Sequence, residues 1–259
     1  MRENAWKTYD SETMKKGFEL SEGYKKFISD CKTERECVIE SIAMAKAKGY
    51  RDLEEVIANG ETLKAGDKVY ANNMGKTVAF FLIGKQPLEN GMNILGAHVD
   101  SPRLDIKQNP LYEDNELALL DTHYYGGIKK YQWVTLPLAL HGVFAKKDGT
   151  VVNVNIGEDD NDPVVGISDL LVHLSADQLS KKANVVIEGE DLNVTVGSIP
   201  VEGEEKDAVK KNILRILKEK YDVEEDDFVS AEIEVVPAGK ARDYGLDRSM
   251  VMGYGHDDR

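Results

Sequence analysis

Two short stretches of the 259-residue chain combine histidine with carboxylates in patterns that could hold a metal ion. The first is His98-Val99-Asp100-Ser101-Pro102, directly after the apolar run Asn93-Ile94-Leu95-Gly96-Ala97. A histidine that ligates through one ring nitrogen needs the other held by a carboxylate, which fixes its tautomer and orientation. In an extended segment, residues i and i+2 face the same side, so His98 and Asp100 can meet that need locally. The same residues also read as an ordinary polar loop at a strand end. The second stretch is Gly255-His256-Asp257-Asp258-Arg259. A carboxylate has two oxygens and can bridge two cations, as paired-metal hydrolases require. Adjacent aspartates are equally at home in a solvated tail, and spacing alone leaves both readings open.

The other histidines are less telling. His123 lies in Leu120-Asp121-Thr122-His123-Tyr124-Tyr125-Gly126-Gly127, where the tyrosines and glycines predict a shaped loop. His141 sits inside the apolar run 138–144 and reads as a satisfied strand histidine. His173, in Leu170-Leu171-Val172-His173-Leu174, is a polar residue in an apolar element. No Gly-x-Ser-x-Gly elbow, phosphate-binding glycine loop or zinc-finger spacing is present. Cys31 and Cys37 lack Cys-x-x-Cys spacing and read as idle thiols of a reducing compartment. The acidic runs 202–205 and 224–227 read as solvated loops.

The elements that must position these residues fall into three blocks. Residues 1–50 read as helix: an amphipathic stretch over 11–30, then the capping-box pattern Thr33-Glu34-Arg35-Glu36 before Val38, Ile42 and Ala45, with Gly49 as a stop. Near residue 66 the pattern changes to strands. Val69-Tyr70 is one, 77–83 is apolar on both faces like an interior strand, and 93–97 reads as another buried strand leading into His98. From about 104 to 236 short strand-like runs recur at 117–120, 136–145, 151–156, 192–196 and 229–235. One strong helix interrupts them, with Val209, Ile213, Ile216 and Leu217 on one face. The expected architecture is α/β over residues 1–103 and 237–259, with a separate α+β unit between them over 104–236.

A net charge of −14 would repel nucleic-acid backbones and anionic membrane surfaces, so neither is an expected partner. No apolar run is long enough to span a membrane, and residues 1–6 lack the apolar core of a signal peptide. A soluble, cytoplasmic protein is expected.

Four linked motifs carry a resemblance across nearly the whole chain: Gly96-Ala97-His98-Val99-Asp100-Ser101-Pro102, Leu120 to Gly127, Gly245-Leu246-Asp247-Arg248-Ser249, and Gly255 to Arg259. In this order they resemble the aspartyl aminopeptidase family of di-zinc metalloaminopeptidases. The resemblance implies a zinc-peptidase-like α/β catalytic domain interrupted by a dimerisation domain, two zinc ions (or other divalent transition metals), and a homo-oligomer built from dimers. It implies His98 as a zinc ligand, Asp100 as its orienting carboxylate and Asp257 as the carboxylate bridging the metals. It implies that His173 crosses a dimer interface to stabilise the oxyanion in the neighbour's site. The reaction implied is hydrolysis of N-terminal, possibly acidic, residues from peptides by a metal-activated water. The substrate-binding residues stay unassigned; Arg103, Lys129 and Lys130 could neutralise an acidic side chain.

The family's remaining parts, a Glu-Glu pair with the general base, a later carboxylate and a distal histidine, lie beyond Arg259. The chain therefore holds two expected metal ligands and no general base, and its catalytic domain is expected to be incomplete and inactive alone. The competing expectation is a non-catalytic oligomerisation or regulatory module that keeps the family's dimer surface.

Overall fold

The computed structural model describes residues 3–256. It divides into two compact units, residues 1–101 with 240–259 and residues 102–239.

In the first unit, α1 (Ser11–Asp30) begins where the Asp10 carboxylate accepts the Thr13 N–H at 2.8 Å. Helix α2 (Glu34–Ala47) begins with the capping box read from the sequence: the Thr33 hydroxyl accepts the Glu36 N–H, and the Glu36 carboxylate accepts the Thr33 N–H at 3.0 Å. Gly49, at φ 86°, then turns the chain. A short β1 (Arg51–Asp52) leads into α3 (Leu53–Ala58), followed by the hairpin of β2 (Lys68–Asn73) and β3 (Thr77–Leu82). The sheet order is β1-β2-β3, so β3 is an edge strand. Phe81 and Leu82 are 44% and 64% exposed, which corrects the expectation of an interior strand here. The expected strand over 93–97 is also absent: residues 91–102 have no regular structure, and Ile94 and Leu95 are exposed. A strand needs a neighbour for its backbone groups, and among the described residues none pairs with this segment.

The second unit is built on six antiparallel strands: β4 (Arg103–Asp114), β5 (Leu117–Tyr125), β6 (Leu138–Ala145), β7 (Val151–Ile156), β8 (Val194–Gly197) and β9 (Ala231–Pro237), in the order β7-β6-β9-β4-β5-β8. Five of them match the strand-like runs of the sequence. Strand β4 was hidden by its polar stretch Lys107-Gln108-Asn109-Pro110. The fold accommodates that proline where the β4–β5 register shifts, between Ile106 and Leu111. After the one-turn α4 (Ala176–Leu179), α5 (Ala208–Tyr221) buries Val209 and packs Ile213 and Leu217 on the sheet, whereas Ile216 is 43% exposed. The acidic run at 224–227 is not a loop. It opens a 3-10 helix, Glu225–Ser230, whose Glu224 and Asp227 cap each other's backbone. His123 lies in β5, stacked on Tyr124, and the loop expected there starts only at Gly126.

The chain returns to the first unit as the hairpin β10 (Arg242–Tyr244) and β11 (Met250–Met252). Its turn is the motif Gly245 to Ser249. The Asp247 carboxylate accepts the Ser249 N–H and hydroxyl at 3.2 and 2.9 Å, and these bonds hold its pKa below the ordinary aspartate value.

Candidate metal centre

His98 and Asp100 do meet. The His98 Nδ1 lies 3.0 Å from both Asp100 Oδ1 and the Asp100 carbonyl oxygen, with the two side chains 43% and 36% exposed. With its proton on Nδ1, the ring donates to both oxygens, and a metal would then take Nε2. The pairing joins residues two apart in a segment without regular structure, so the sheet expected to position them is not what brings them together.

Asp257 lies outside the described residues. The segment leading to it is held against one stripe of α1. The Tyr24 hydroxyl is 3.0 Å from His256 Nδ1, and the Ser29 hydroxyl accepts the Ala241 N–H at 3.0 Å. Lys25 pairs with Asp243, and the bonds it donates to Asp243 and Glu22 raise its pKa. A Cβ on Gly253 would stand 2.9 Å from both Ile28 Cδ1 and Ala241 Cβ, so the hairpin approaches the helix as closely as glycine allows. Residues 24, 25, 28 and 29 share one helical face. Sequence reading found that face amphipathic but had no signal for its partner more than 200 residues away.

His173 stands in a single 3-10 turn, Val172–Leu174. Asp169 fixes the turn's entry, accepting the Leu170 N–H and the Gln178 amide at 2.8 Å each, and the Ser175 hydroxyl donates to the Val172 carbonyl. The ring makes no hydrogen bond among the described residues. Around it Leu170, Leu171, Val172 and Leu174 are 55–70% exposed. His141, in contrast, is buried in β6 with Nε2 3.0 Å from Glu158 Oε1, as expected of a satisfied strand histidine. Arg103 is committed inside its own unit: its Nε lies 2.8 Å from Asp105 and 3.1 Å from Glu234, and its guanidinium stacks 4.2 Å over Tyr125. It is therefore a poor candidate for neutralising a substrate. Lys130 lies over the Tyr124 ring at 5.8 Å. Among the described residues no group of three metal-binding side chains gathers at one point. The His98–Asp100 pair thus fits a zinc site in kind, as one ligand with its orienting carboxylate, but not in number.

Residues 27–259 match the family described as aminopeptidase I zinc metalloprotease (M18). The chain belongs to the M18 family of aminopeptidases. It is 69% identical, over 99% of its length, to a probable M18 family aminopeptidase 1 of Clostridium acetobutylicum, and covers 55% of that protein. Among solved structures it is similar to aminopeptidase I from Clostridium acetobutylicum, with a TM-score of 0.88 and 68% identity, covering all of this chain and 57% of that one. The M18 aminopeptidase from Thermotoga maritima superimposes with a TM-score of 0.92 at 45% identity, again over all of this chain and 55% of the other. The chain thus spans little more than half the length of the M18 relatives it matches, and its mixed α/β fold matches theirs over that span.

Proposed function

We propose that this chain is the first part of a zinc-dependent aminopeptidase, with His98 a metal ligand, Asp100 its positioning residue and Asp257 the carboxylate bridging a metal pair. The observation that carries the reading is the 3.0 Å contact between His98 Nδ1 and the Asp100 carboxylate in a chain of a zinc aminopeptidase family. When bound, zinc supplies a Lewis acid and an activated water at neutral pH. Asp100 holds the His98 ring so that one nitrogen keeps its proton and the other offers its lone pair. The Asp257 carboxylate has two oxygens and could offer one to each of two ions.

His173 extends the site. A one-turn helix with four exposed apolar neighbours suits a surface covered by a second copy of the chain, with the imidazole directed at that copy's site. There it would donate to the negative charge that develops on the peptide carbonyl oxygen. Peptides are the proposed substrate, with acidic N-terminal residues one class among them, and a homo-oligomer built from dimers the proposed assembly. A cytoplasmic location fits the charge of −14 and the finding that no helix among the described residues is long and apolar enough to cross a membrane.

A second reading, an oligomerisation module without chemistry, is favoured by the same exposed apolar turn and by the partial donor set. The two separate in one experiment. This sequence is joined to the second half of its 69%-identical Clostridium relative, and both the 259-residue chain and the chimera are assayed with aminoacyl p-nitroanilides. The chimera should turn over, lose activity to a chelator and regain it with zinc, while the 259-residue chain, whose described residues gather no complete metal site, should stay silent. Turnover by the chimera that ignores chelators would remove the metal reading. Chelator-sensitive turnover by the 259-residue chain alone would place a general base within it.

A further inference from the structure

The six-stranded sheet of the second unit is wider than the helix that covers it. Six strands at about 4.8 Å spacing span roughly 24 Å, whereas an α-helix with its side chains is about 10 Å across. Helix α5 packs over β4, β5 and β8, at one side of the sheet, and the 3-10 helix 225–230 packs over β4, β6 and β9. Between these two covers a cavity of about 180 Å³ is left. Every strand sends at least one apolar side chain into it, Ile213 and Leu217 roof it from α5, and Phe144 and Phe228 meet edge to face on its wall at 5.1 Å. Its lining contains no charged or hydrogen-bonding side chain. Val164 and Ile216, 52% and 43% exposed, stand at its mouth. Asp162 and Lys220, 3.7 Å apart, tie the loop that carries Val164 to the end of α5.

We propose that this cavity is a binding site for a small uncharged apolar molecule, about the size of one benzene ring. The lining decides the class. Water needs two to four polar partners in such a space and finds none on these side chains, and an apolar cavity of about 150 Å³ elsewhere stays dry and takes benzene. The volume decides the size: drug-sized ligands occupy roughly 300–1,000 Å³ and carry a few polar anchors, neither of which this cavity offers. Binding restores the dispersion contacts that the lining atoms lack across the void. All the lining residues belong to the second unit.

The test is a benzene titration of the 259-residue protein followed by methyl NMR and thermal melting. Saturable shifts are expected at the methyls of Val154, Val196 and Ile213, with those of Val38 and Val56 in the first unit unmoved. A rise in Tm of about 2–5 °C is expected at a benzene concentration well above Kd. Val154→Phe should fill the space and abolish both responses. Val164→Trp, at an exposed lining position that tolerates a larger side chain, should put its indole into the space with the same result, and it decides the matter if the first variant does not fold. No saturable shift in the wild type, or a response that persists in folded Val164→Trp, overturns the proposal.

Discussion

Replacing Gly142 with alanine tests the packing at the centre of the second unit. Gly142 lies in β6 at φ 149°, opposite Ile233 of β9. A Cβ there would stand 1.9 Å from the Glu232 carbonyl oxygen and 2.9 Å from the Ile233 Cα. Both are backbone atoms and cannot swing aside, so the two strands would have to part by about 1 Å for the methyl to reach the closest distance real Cβ atoms show. Parting them weakens the ladder on each side, at the pairs His141–Glu234 and Val143–Glu232. Two or three strand hydrogen bonds at about 1 kcal/mol each, with overpacking of about 1–3 kcal/mol, give a loss of about 3–6 kcal/mol. A typical domain holds only about 5–15 kcal/mol, so the variant should be marginal. Trp133 is the natural reporter: it is buried in this unit, and the only other tryptophan, Trp6, is exposed in the first unit and can be changed to phenylalanine. Urea unfolding followed by Trp133 fluorescence should show a midpoint lowered by roughly 1–3 M with an unchanged slope. A loss below about 1 kcal/mol would refute the close approach of β6 to β9.

Three further predictions concern the proposed site and the charges. In the chimera, Asp100→Ala should weaken zinc about 10–100-fold in a competition assay with a chromogenic chelator; an unchanged affinity would leave Asp100 without its positioning role. His173→Ala in the chimera should fold, assemble and bind zinc yet lose about 10²–10³ in kcat with little change in KM. Mixing it with His98→Ala should restore part of the activity, and no rescue despite proven subunit exchange would confine His173 to its own subunit. Asp222, which accepts from Lys146 and Lys218, has its pKa lowered to about 2 by those bonds. Because the folded value is depressed, the contribution of this contact is complete above the unfolded value of about 3.9 and disappears as pH falls through about 2. Carboxyl NMR should place the Asp222 midpoint near the lower value, and a midpoint at the ordinary one would show the contact is not made in solution.

What could be read from the sequence was mostly local. The caps at Thr33 and Glu36, the 3.6-residue spacing of α5 and the i, i+2 relation of His98 to Asp100 each depend on residues within four positions of one another. Burial of whole strands depends on neighbours. The runs 77–83 and 93–97 are apolar enough for an interior sheet, but among the described residues β3 has a partner on one side and 93–97 has none. Strand β4 was missed because a proline and three polar residues break its pattern, and the register shift that absorbs them is set by β5. The contact of Tyr24 with His256 joins residues 232 apart, and nothing in either local sequence announces it. The exposed leucines around His173 read as an apolar element. Only the structure shows them exposed on this chain.

The central claim is that His98 ligates the metal through Nε2 while Asp100 holds Nδ1, and locating zinc directly tests it best. Crystals of the chimera grown with zinc, measured on both sides of the zinc absorption edge, should show an anomalous peak about 2.0–2.1 Å from His98 Nε2. The Asp100 carboxylate should remain on Nδ1, and a carboxylate oxygen of Asp257 should lie within ligand distance of the same ion. Zinc bound with full occupancy elsewhere, or reached through Nδ1 with Asp100 turned away, would contradict the account.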